Sequence, residues 1–212
     1  MKKIKHLLSI VVCFVLSFIC VSFSACKNNN ENNTKTDDSS VDFNNTQIAI
    51  IYFSATNNTK NIANLIKTKV EAEILEIKPV VAYTSSDLNY NNSNSRVSQE
   101  HNNRNNKNSE FYRPPFVKNF ENLDSYDVIF LGYPIWWGEA PNIVYSFLEE
   151  YADSFANKKI IPFCTSASSG IGQSAKNLHS HVSDSAIWLN GCRFSTSTTQ
   201  ENINSWIENL QI

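Results

Sequence analysis

The sequence lacks the features that identify several large classes of protein. It contains no Gly-Lys-Ser or Gly-Lys-Thr, so it lacks the loop with which nucleoside triphosphatases bind the β- and γ-phosphates. With only five glycines, it also has no Gly-x-Gly-x-x-Gly sequence of the dinucleotide-binding type. Its 18 basic residues do not outnumber its 20 acidic residues, and the net charge of −2 argues against a nucleic-acid partner. No internal repeat is present, and 212 residues leave room for one ordinary domain with an export segment.

The N-terminus has the layout of a secretory signal. Three lysines within the first five residues precede an apolar run over residues 7–25. The end of this run, Ser24-Ala25-Cys26, resembles a bacterial lipobox, although Phe23 is bulkier than an ordinary cleavage site favours. We therefore predict a lipoprotein signal peptide over residues 1–25 and lipidation of Cys26. An uncleaved membrane anchor is the alternative, and both interpretations hold the domain at the outer face of the cytoplasmic membrane.

Few cysteines remain once this segment is set aside. Cys13 and Cys20 belong to the apolar run and Cys26 is the predicted lipidation site, which leaves Cys164 and Cys192 in the domain. A disulfide between these two is conceivable outside the cell. Two buried thiols are the preferred interpretation, because both residues lie on apolar, strand-like segments.

The rest of the chain reads as a linker followed by one α/β domain. Residues 26–46 are rich in Asn, Asp, Thr and Ser and are predicted to be a flexible linker. Within the domain, residues 47–212, apolar segments predict five strands that alternate with helices, as in a doubly wound parallel sheet with helices on both faces. The predicted strands are 48–53, 72–77, 126–132, 159–164 and 186–192, and one of the predicted helices is 173–182.

A long Asn- and Ser-rich segment interrupts this alternation. It covers about residues 84–118 and is predicted to be a surface excursion with at most a short helix near residues 96–101. Loops of this length are either functional or disordered. The sheet itself predicts where ligands bind, because doubly wound folds bind them beyond the carboxyl ends of the strands.

The first strand is followed by a hydroxyl-rich turn, Ser54–Thr59, which leads directly into a helix. A helix start carries unpaired N–H groups and a partial positive charge, so it attracts an anion. Ser54, Thr56 and Thr59 add hydroxyl groups that can donate to phosphate oxygens. A single phosphate monoester is therefore the expected ligand of this turn.

The turn after the third strand carries two adjacent tryptophans, Trp136 and Trp137, between Pro134 and Gly138. One interpretation is that one or both rings pack under the helix that follows. The other is that at least one ring covers a flat aromatic ligand whose phosphate lies in the first turn. A phosphate at one end and an aromatic plane at the other describe flavin mononucleotide (FMN).

Together these motifs resemble the flavodoxin-like proteins, in particular bacterial members with a double tryptophan. The resemblance rests on Tyr-Phe-Ser-x-Thr-x-Asn-Thr after the first strand, Gly-Tyr-Pro-Ile-Trp-Trp-Gly after the third, and Pro-Phe-x-Thr-Ser after the fourth. It implies a five-stranded parallel sheet with strand order 2-1-3-4-5 and an FMN site formed by three turns. Asn57 stands where the family usually has glycine, but asparagine is among the residues that tolerate positive φ.

The resemblance also implies the site residues and the chemistry. The implied FMN-binding residues are Ser54, Thr56, Asn57, Asn58 and Thr59 around the phosphate, Pro134, Ile135, Trp136, Trp137 and Gly138 along one side of the flavin ring, and Thr165, Ser166, Ser168, Ser169 and Gly170 along the other. No catalytic acid or base is expected, because the flavin itself carries the redox chemistry. No metal is expected either, because His179 and His181 are two positions apart and cannot share a helix face.

Three functions remain open on the sequence alone. The first is an FMN-dependent, lipid-anchored protein that transfers electrons to an unknown redox partner or reduces a small acceptor such as a quinone. The second is an NAD(P)H-dependent reductase that uses the same flavin. The third is a surface-anchored protein that keeps the fold but binds no flavin in its native location, since export of an unfolded chain requires FMN to be acquired outside.

Overall fold

A computed structural model describes residues 46–210 of the chain. The predicted signal peptide, the predicted lipidation site Cys26 and residues 26–45 of the predicted linker lie outside the described residues, as do residues 211 and 212. Within residues 46–210, no helix is long and apolar enough to cross a membrane.

The described chain folds into one parallel sheet in the order β2-β1-β3-β4-β5, with a further short strand, β6, also paired to β4. This is the predicted doubly wound fold with strand order 2-1-3-4-5, in which the fifth position is shared by two short strands. The strands are β1 Ile48–Tyr52, β2 Glu73–Glu76, β3 Val128–Pro134, β4 Lys159–Thr165, β5 Ile187–Trp188 and β6 Cys192–Phe194. The α-helices are α1 Asn58–Lys69, α2 Arg96–Asn102, α3 Asn142–Glu150 and α4 Gln200–Glu208.

Side chains alternate across the sheet and build a separate core on each face. In β1, Ile48, Ile50 and Tyr52 pack with residues of α1 and α4, whereas Ala49 and Ile51 pack with residues of α3. Because both faces are covered, the central strands β1 and β3 are apolar along their length rather than alternating. One glycine is required by this packing, since a Cβ at Gly132 would lie 2.2 Å from the Phe163 ring.

The end of the sheet differs from the sequence-based prediction in two elements. The predicted fifth strand, 186–192, is split into β5 and β6, because Pro162 in the middle of β4 has no N–H to donate to its neighbour. The predicted helix 173–182 is wrong in type and length, since the chain forms a 3₁₀ helix over Lys176–His181 instead.

The two cysteines of the domain are free thiols on opposite faces of the sheet. Cys164 belongs to the core beside α3, whereas Cys192 packs against the core beside α1 and α4. Neighbouring strands place Cys164 beside Arg193 and Phe163 beside Cys192, so the two thiols point away from each other. Burial raises the pKa of the Cys164 thiol to about 12. The geometry therefore accounts for two thiols rather than a disulfide.

The Asn- and Ser-rich excursion is folded against the domain. It contains α2 within the predicted stretch, and it is closed at its base by the bridge between Pro79 and Phe116. Three of its turns are held by an asparagine side chain that accepts from the N–H two residues on: Asn89 from Asn91, Asn92 from Asn94, and Asn106 from Asn108, at 3.0, 3.0 and 3.3 Å. These are Asx turns, in which the side chain replaces a backbone partner.

Arg113 and Asn142 make two of the polar contacts that attach the excursion to α3. The Arg113 guanidinium donates to both carboxylate oxygens of Glu149, at 2.8 and 2.7 Å. The Asn142 side-chain amide donates to the carbonyl groups of Glu100 and Phe111, at 2.7 and 3.0 Å. Through these contacts the excursion lies beside the turn that follows β3.

Candidate functional site

The three turns that the sequence singles out lie side by side at the carboxyl edge of the sheet. They follow β1, β3 and β4, which are neighbours and run parallel. Hydrogen bonds join them: the Thr59 and Thr165 hydroxyl groups are 2.8 Å apart, and the Ile135 N–H donates to the Thr165 carbonyl at 2.9 Å. The edge therefore presents one continuous surface built from all three turns.

The first turn leaves the start of α1 open. Asn57, the N-cap residue, has a φ of +62°, and its side chain makes no capping hydrogen bond. The first helical turn of α1 contains no acidic side chain, so the backbone N–H groups at the start of this helix have no carboxylate beside them. The Ser54 hydroxyl oxygen is buried and has no hydrogen-bond partner among the described residues. An orphaned hydroxyl beside an uncapped helix start fits an anion such as a phosphate.

The second turn is a tight hairpin turn whose central residues are Trp137 and Gly138. Trp136 and Glu139 exchange two backbone hydrogen bonds, at 2.9 and 3.0 Å, around it. Trp137 has a φ of +49° and Gly138 a φ of +80°, as a type I′ turn requires. A left-handed backbone conformation at a residue with a Cβ costs about 1–2 kcal/mol. The turn that positions the Trp137 ring therefore lowers the stability of the folded protein by about that amount.

The two tryptophans have different environments. Trp136 is buried, with its ring 5.6 Å from Phe53 and 5.5 Å from Tyr83. Trp137 is 41% exposed, and it stacks on His101 with ring centroids 4.6 Å apart and planes 19° apart. Trp136 is thus a core residue covered by the excursion, and Trp137 is the ring that remains accessible.

The excursion residues around this pair are fixed by a buried carboxylate. Glu100 accepts from the Tyr83 hydroxyl at 2.9 and 3.0 Å and from Arg96 Nε at 2.8 Å. Burial raises the pKa of Glu100, although the hydrogen bonds from Tyr83 and the charge of Arg96 oppose this shift. Burial, and then the nearby Arg104, lower the pKa of His101, which favours the neutral ring against Trp137.

The third turn is held by Arg193, a residue that the sequence-based prediction missed. The Arg193 guanidinium donates to the Ser166 hydroxyl at 3.1 Å, to the Ser166 carbonyl at 2.8 Å and to the Ala167 carbonyl at 2.5 Å. The Ser166 hydroxyl in turn donates to the Ser169 carbonyl. A lone arginine in a short strand gives no signal in the sequence, because its role depends on the pairing of β6 with β4.

The predicted FMN-binding residues all lie in these three turns, but not all are equally accessible. Thr59, Trp136 and Thr165 are buried, whereas Ser54, Pro134, Ile135 and Ser166 are half-buried. The exposed residues are Thr56, Asn57, Asn58, Trp137, Gly138, Ser168, Ser169 and Gly170. Since Thr59 is 1% exposed and bonded to Thr165, its hydroxyl belongs to the link between turns rather than to the open surface.

Comparisons with known proteins agree with this architecture. The sequence model of the flavodoxin family matches residues 47–210. A candidate flavoprotein from Bacteroides eggerthii is 36% identical, with a TM-score of 0.69, over 79% of this chain and 99% of that one. A candidate flavoprotein from Bacteroides uniformis is 34% identical, again with a TM-score of 0.69, over 77% of this chain and 99% of that one.

A more distant structure is a flavoprotein from Lactobacillus acidophilus in complex with FMN. It is 20% identical, with a TM-score of 0.55, over 70% of this chain and 93% of that one, so it supports the fold alone. No functionally curated protein matches the chain. The family match spans the whole described domain apart from Thr46, and two relatives above 30% identity are covered almost completely. On this evidence the chain belongs to the flavodoxin family.

Proposed function

We propose that this protein binds FMN at the carboxyl edge of its sheet and acts in electron transfer or in the reduction of a small acceptor. The observation that carries the proposal is the buried Ser54 hydroxyl, which has no partner and lies in the turn before the uncapped start of α1. A phosphate monoester supplies the acceptor atoms and the negative charge that this turn lacks. The Lactobacillus acidophilus relative binds FMN, which supports the same ligand here.

The residues would divide the work as follows. Ser54, Thr56, Asn58 and the N–H groups up to Thr59 would hold the phosphate. Trp137 would cover one side of the flavin ring, and the turn from Ser166 to Gly170 would line the other side and its polar edge. FMN, when bound, supplies the one- and two-electron redox chemistry, while the chain binds and orients it and limits its contact with water.

We further propose that the domain works at the outer face of the cytoplasmic membrane, held by a lipid on Cys26. The sequence of residues 1–26 supports this, because a basic start and an apolar run end in Ser24-Ala25-Cys26. Growth of producing cells with labelled fatty acid should label the protein, and Cys26→Ser should abolish the label. Equal labelling of both proteins would refute a lipid on Cys26.

The FMN proposal is tested by replacing Ser54 with alanine. Because the Ser54 hydroxyl has no protein partner, Ser54→Ala should leave the free energy of unfolding unchanged or slightly raised. FMN should bind about tenfold more weakly, as expected for the loss of a hydrogen bond to a charged group, whereas riboflavin, which lacks the phosphate, should bind as before. Ser205→Ala, on the exposed side of α4, is the matched control.

The outcomes separate the three open functions. Failure of the full-length protein to bind FMN, even in excess, would refute both flavin-dependent functions and favour the surface protein without flavin. Equal weakening of FMN and riboflavin by Ser54→Ala would show that the phosphate lies elsewhere. If FMN binds, reduction of the bound FMN by NADH or NADPH without a partner protein would indicate a reductase. If neither nucleotide reduces the bound FMN, an electron carrier would be indicated.

A further inference from the structure

A polar cleft lies beside the second turn, since Glu139 is one of its lining residues. Its volume is about 680 Å³, within the range of small-molecule sites. The cleft is enclosed by the excursion, the start of α3 and the 3₁₀ helix Lys176–His181. No residue of the first turn, Ser54–Thr59, lines it, so it is separate from the proposed phosphate site.

Basic residues dominate the charge of this cleft. Arg104, Arg113 and Lys176 line it, against one carboxylate, that of Glu139. Arg113 is already paired with Glu149, and Arg104 Nη2 lies 3.2 Å from Glu139. The Lys176 ammonium makes no ion pair or hydrogen bond within the described part of the chain. The cleft therefore keeps uncompensated positive charge at an accessible position.

The other lining groups are hydrogen-bonding groups rather than apolar ones. Tyr145 is 5% exposed, and its hydroxyl oxygen makes no hydrogen bond of normal geometry among residues 46–210, although the Arg104 guanidinium lies near enough to oppose the rise in the Tyr145 pKa that burial causes. Buried hydroxyl groups are usually satisfied, so this one marks a place where a partner from outside the chain fits. The remaining polar lining residues are Asn105, Tyr112, Asn142, Asn177, Ser180 and His181.

The cleft is also rigidly built. Glu139 is held by Arg104 of the excursion and by the Asn177 amide, which lies 2.9 Å from each of its carboxylate oxygens. This carboxylate thereby joins the second turn to two walls of the cleft, so Glu139, Arg104 and Asn177 are held in place before any ligand arrives.

From these observations we infer that the cleft binds a small anion that carries a phosphate or carboxylate group. The cations and the unpartnered hydroxyl group match such a group, whereas an uncharged apolar molecule would find few apolar contacts. The inference does not depend on flavin binding, because the cleft is formed by protein groups alone. Glu139 immediately follows Gly138 of the second turn, so an anion held here would lie next to the proposed flavin site.

The test is calorimetric titration of the full-length protein, free of FMN and in detergent, with pyrophosphate and with citrate at low ionic strength. We expect both probes to bind, and Arg104→Gln or Lys176→Gln to weaken the tighter probe by about tenfold, as for a lost charge-assisted contact. Lys67→Gln, an exposed lysine of α1, is the matched control and should change the affinity by less than about twofold. Preference for pyrophosphate would assign a phosphate ligand, and preference for citrate a carboxylate ligand.

Tyr145→Phe gives a second readout that does not depend on charge. Because the Tyr145 hydroxyl makes no hydrogen bond of normal geometry within residues 46–210, this variant should unfold at nearly the same urea concentration as the wild type while binding the probe more weakly. The inference is overturned if neither probe binds at millimolar concentration, or if Lys67→Gln weakens binding as much as Lys176→Gln. It is also overturned if FMN displaces the probes, since the cleft would then be part of the flavin site.

Discussion

The hydrogen bond between Thr59 and Thr165 offers a measurable test of how the site is assembled. The two hydroxyl groups are 2.8 Å apart and buried, with exposures of 1% and 6%, and they join the first turn to the third. Thr59→Val keeps the shape of the side chain but leaves the Thr165 hydroxyl buried without its partner. Such an orphaned group costs about 1–3 kcal/mol, and Thr165→Val should cost a similar amount for the reciprocal reason.

The double variant should be less destabilised than the sum of the single variants. Removing both hydroxyl groups leaves no orphan, so we expect a coupling free energy of about 1 kcal/mol or more between the two positions. Urea unfolding of the FMN-free protein, followed by circular dichroism, measures all four free energies. Losses that add to within about 0.5 kcal/mol would refute the reasoning, because independent sites behave in that way.

The same variants test whether the Thr59 hydroxyl contacts the phosphate of the proposed FMN ligand. If the Thr59 hydroxyl only forms the hydrogen bond with Thr165, Thr59→Val and Thr165→Val should change the ratio of FMN affinity to riboflavin affinity equally. A change confined to Thr59→Val would show that this hydroxyl contacts the phosphate directly. A larger hydrophobic side chain at position 59 is a poor probe, since the site is closed to solvent and extra atoms would force the turn apart.

Two further predictions follow from the second turn and the excursion. Trp137→Asn should change the free energy of unfolding by less than about 1 kcal/mol, because asparagine adopts positive φ more easily than tryptophan and this offsets the lost ring contacts. FMN should bind about tenfold more weakly to this variant. Unchanged FMN affinity in a fluorescence titration would contradict a role for this ring. Burial raises the pKa of Glu100, so the stability it contributes is present at acidic pH and is lost as the pH rises through the pKa in the folded state. Glu100→Gln should therefore flatten the decline in unfolding free energy as the pH rises above about 4.3, the ordinary pKa of a glutamate, and an unchanged pH profile in urea titrations would contradict this sign.

The sheet could be predicted because its signal is local and strong. The residues of β1 and β3 are apolar without interruption, which is typical of strands buried on both faces, and their turns carry unusual residues at the strand ends. Asn57 was expected to tolerate positive φ, and it has a φ of +62°. Regular periodicity and a single turn residue are both visible in a sequence without knowledge of distant contacts.

The features that could not be predicted depend on contacts between distant residues. The split of the fifth strand follows from Pro162 in its neighbour, and strand pairing must be known before that proline can be interpreted. The sequence pattern did not distinguish the burial of Trp136 from that of Trp137. Trp136 is a core residue because Tyr83 and Phe53 pack against it. The role of Arg193 could not be predicted for the same reason, since its three hydrogen-bond acceptors lie 26 or 27 positions away in the sequence.

The Asx turns of the excursion have a consequence for how this surface can change. Each of these turns needs only a side-chain oxygen two residues before the N–H, and aspartate supplies one as well as asparagine does. Substitution of aspartate for asparagine at these positions adds negative charge without altering the backbone. The charge of the excursion surface can therefore change while its backbone stays fixed.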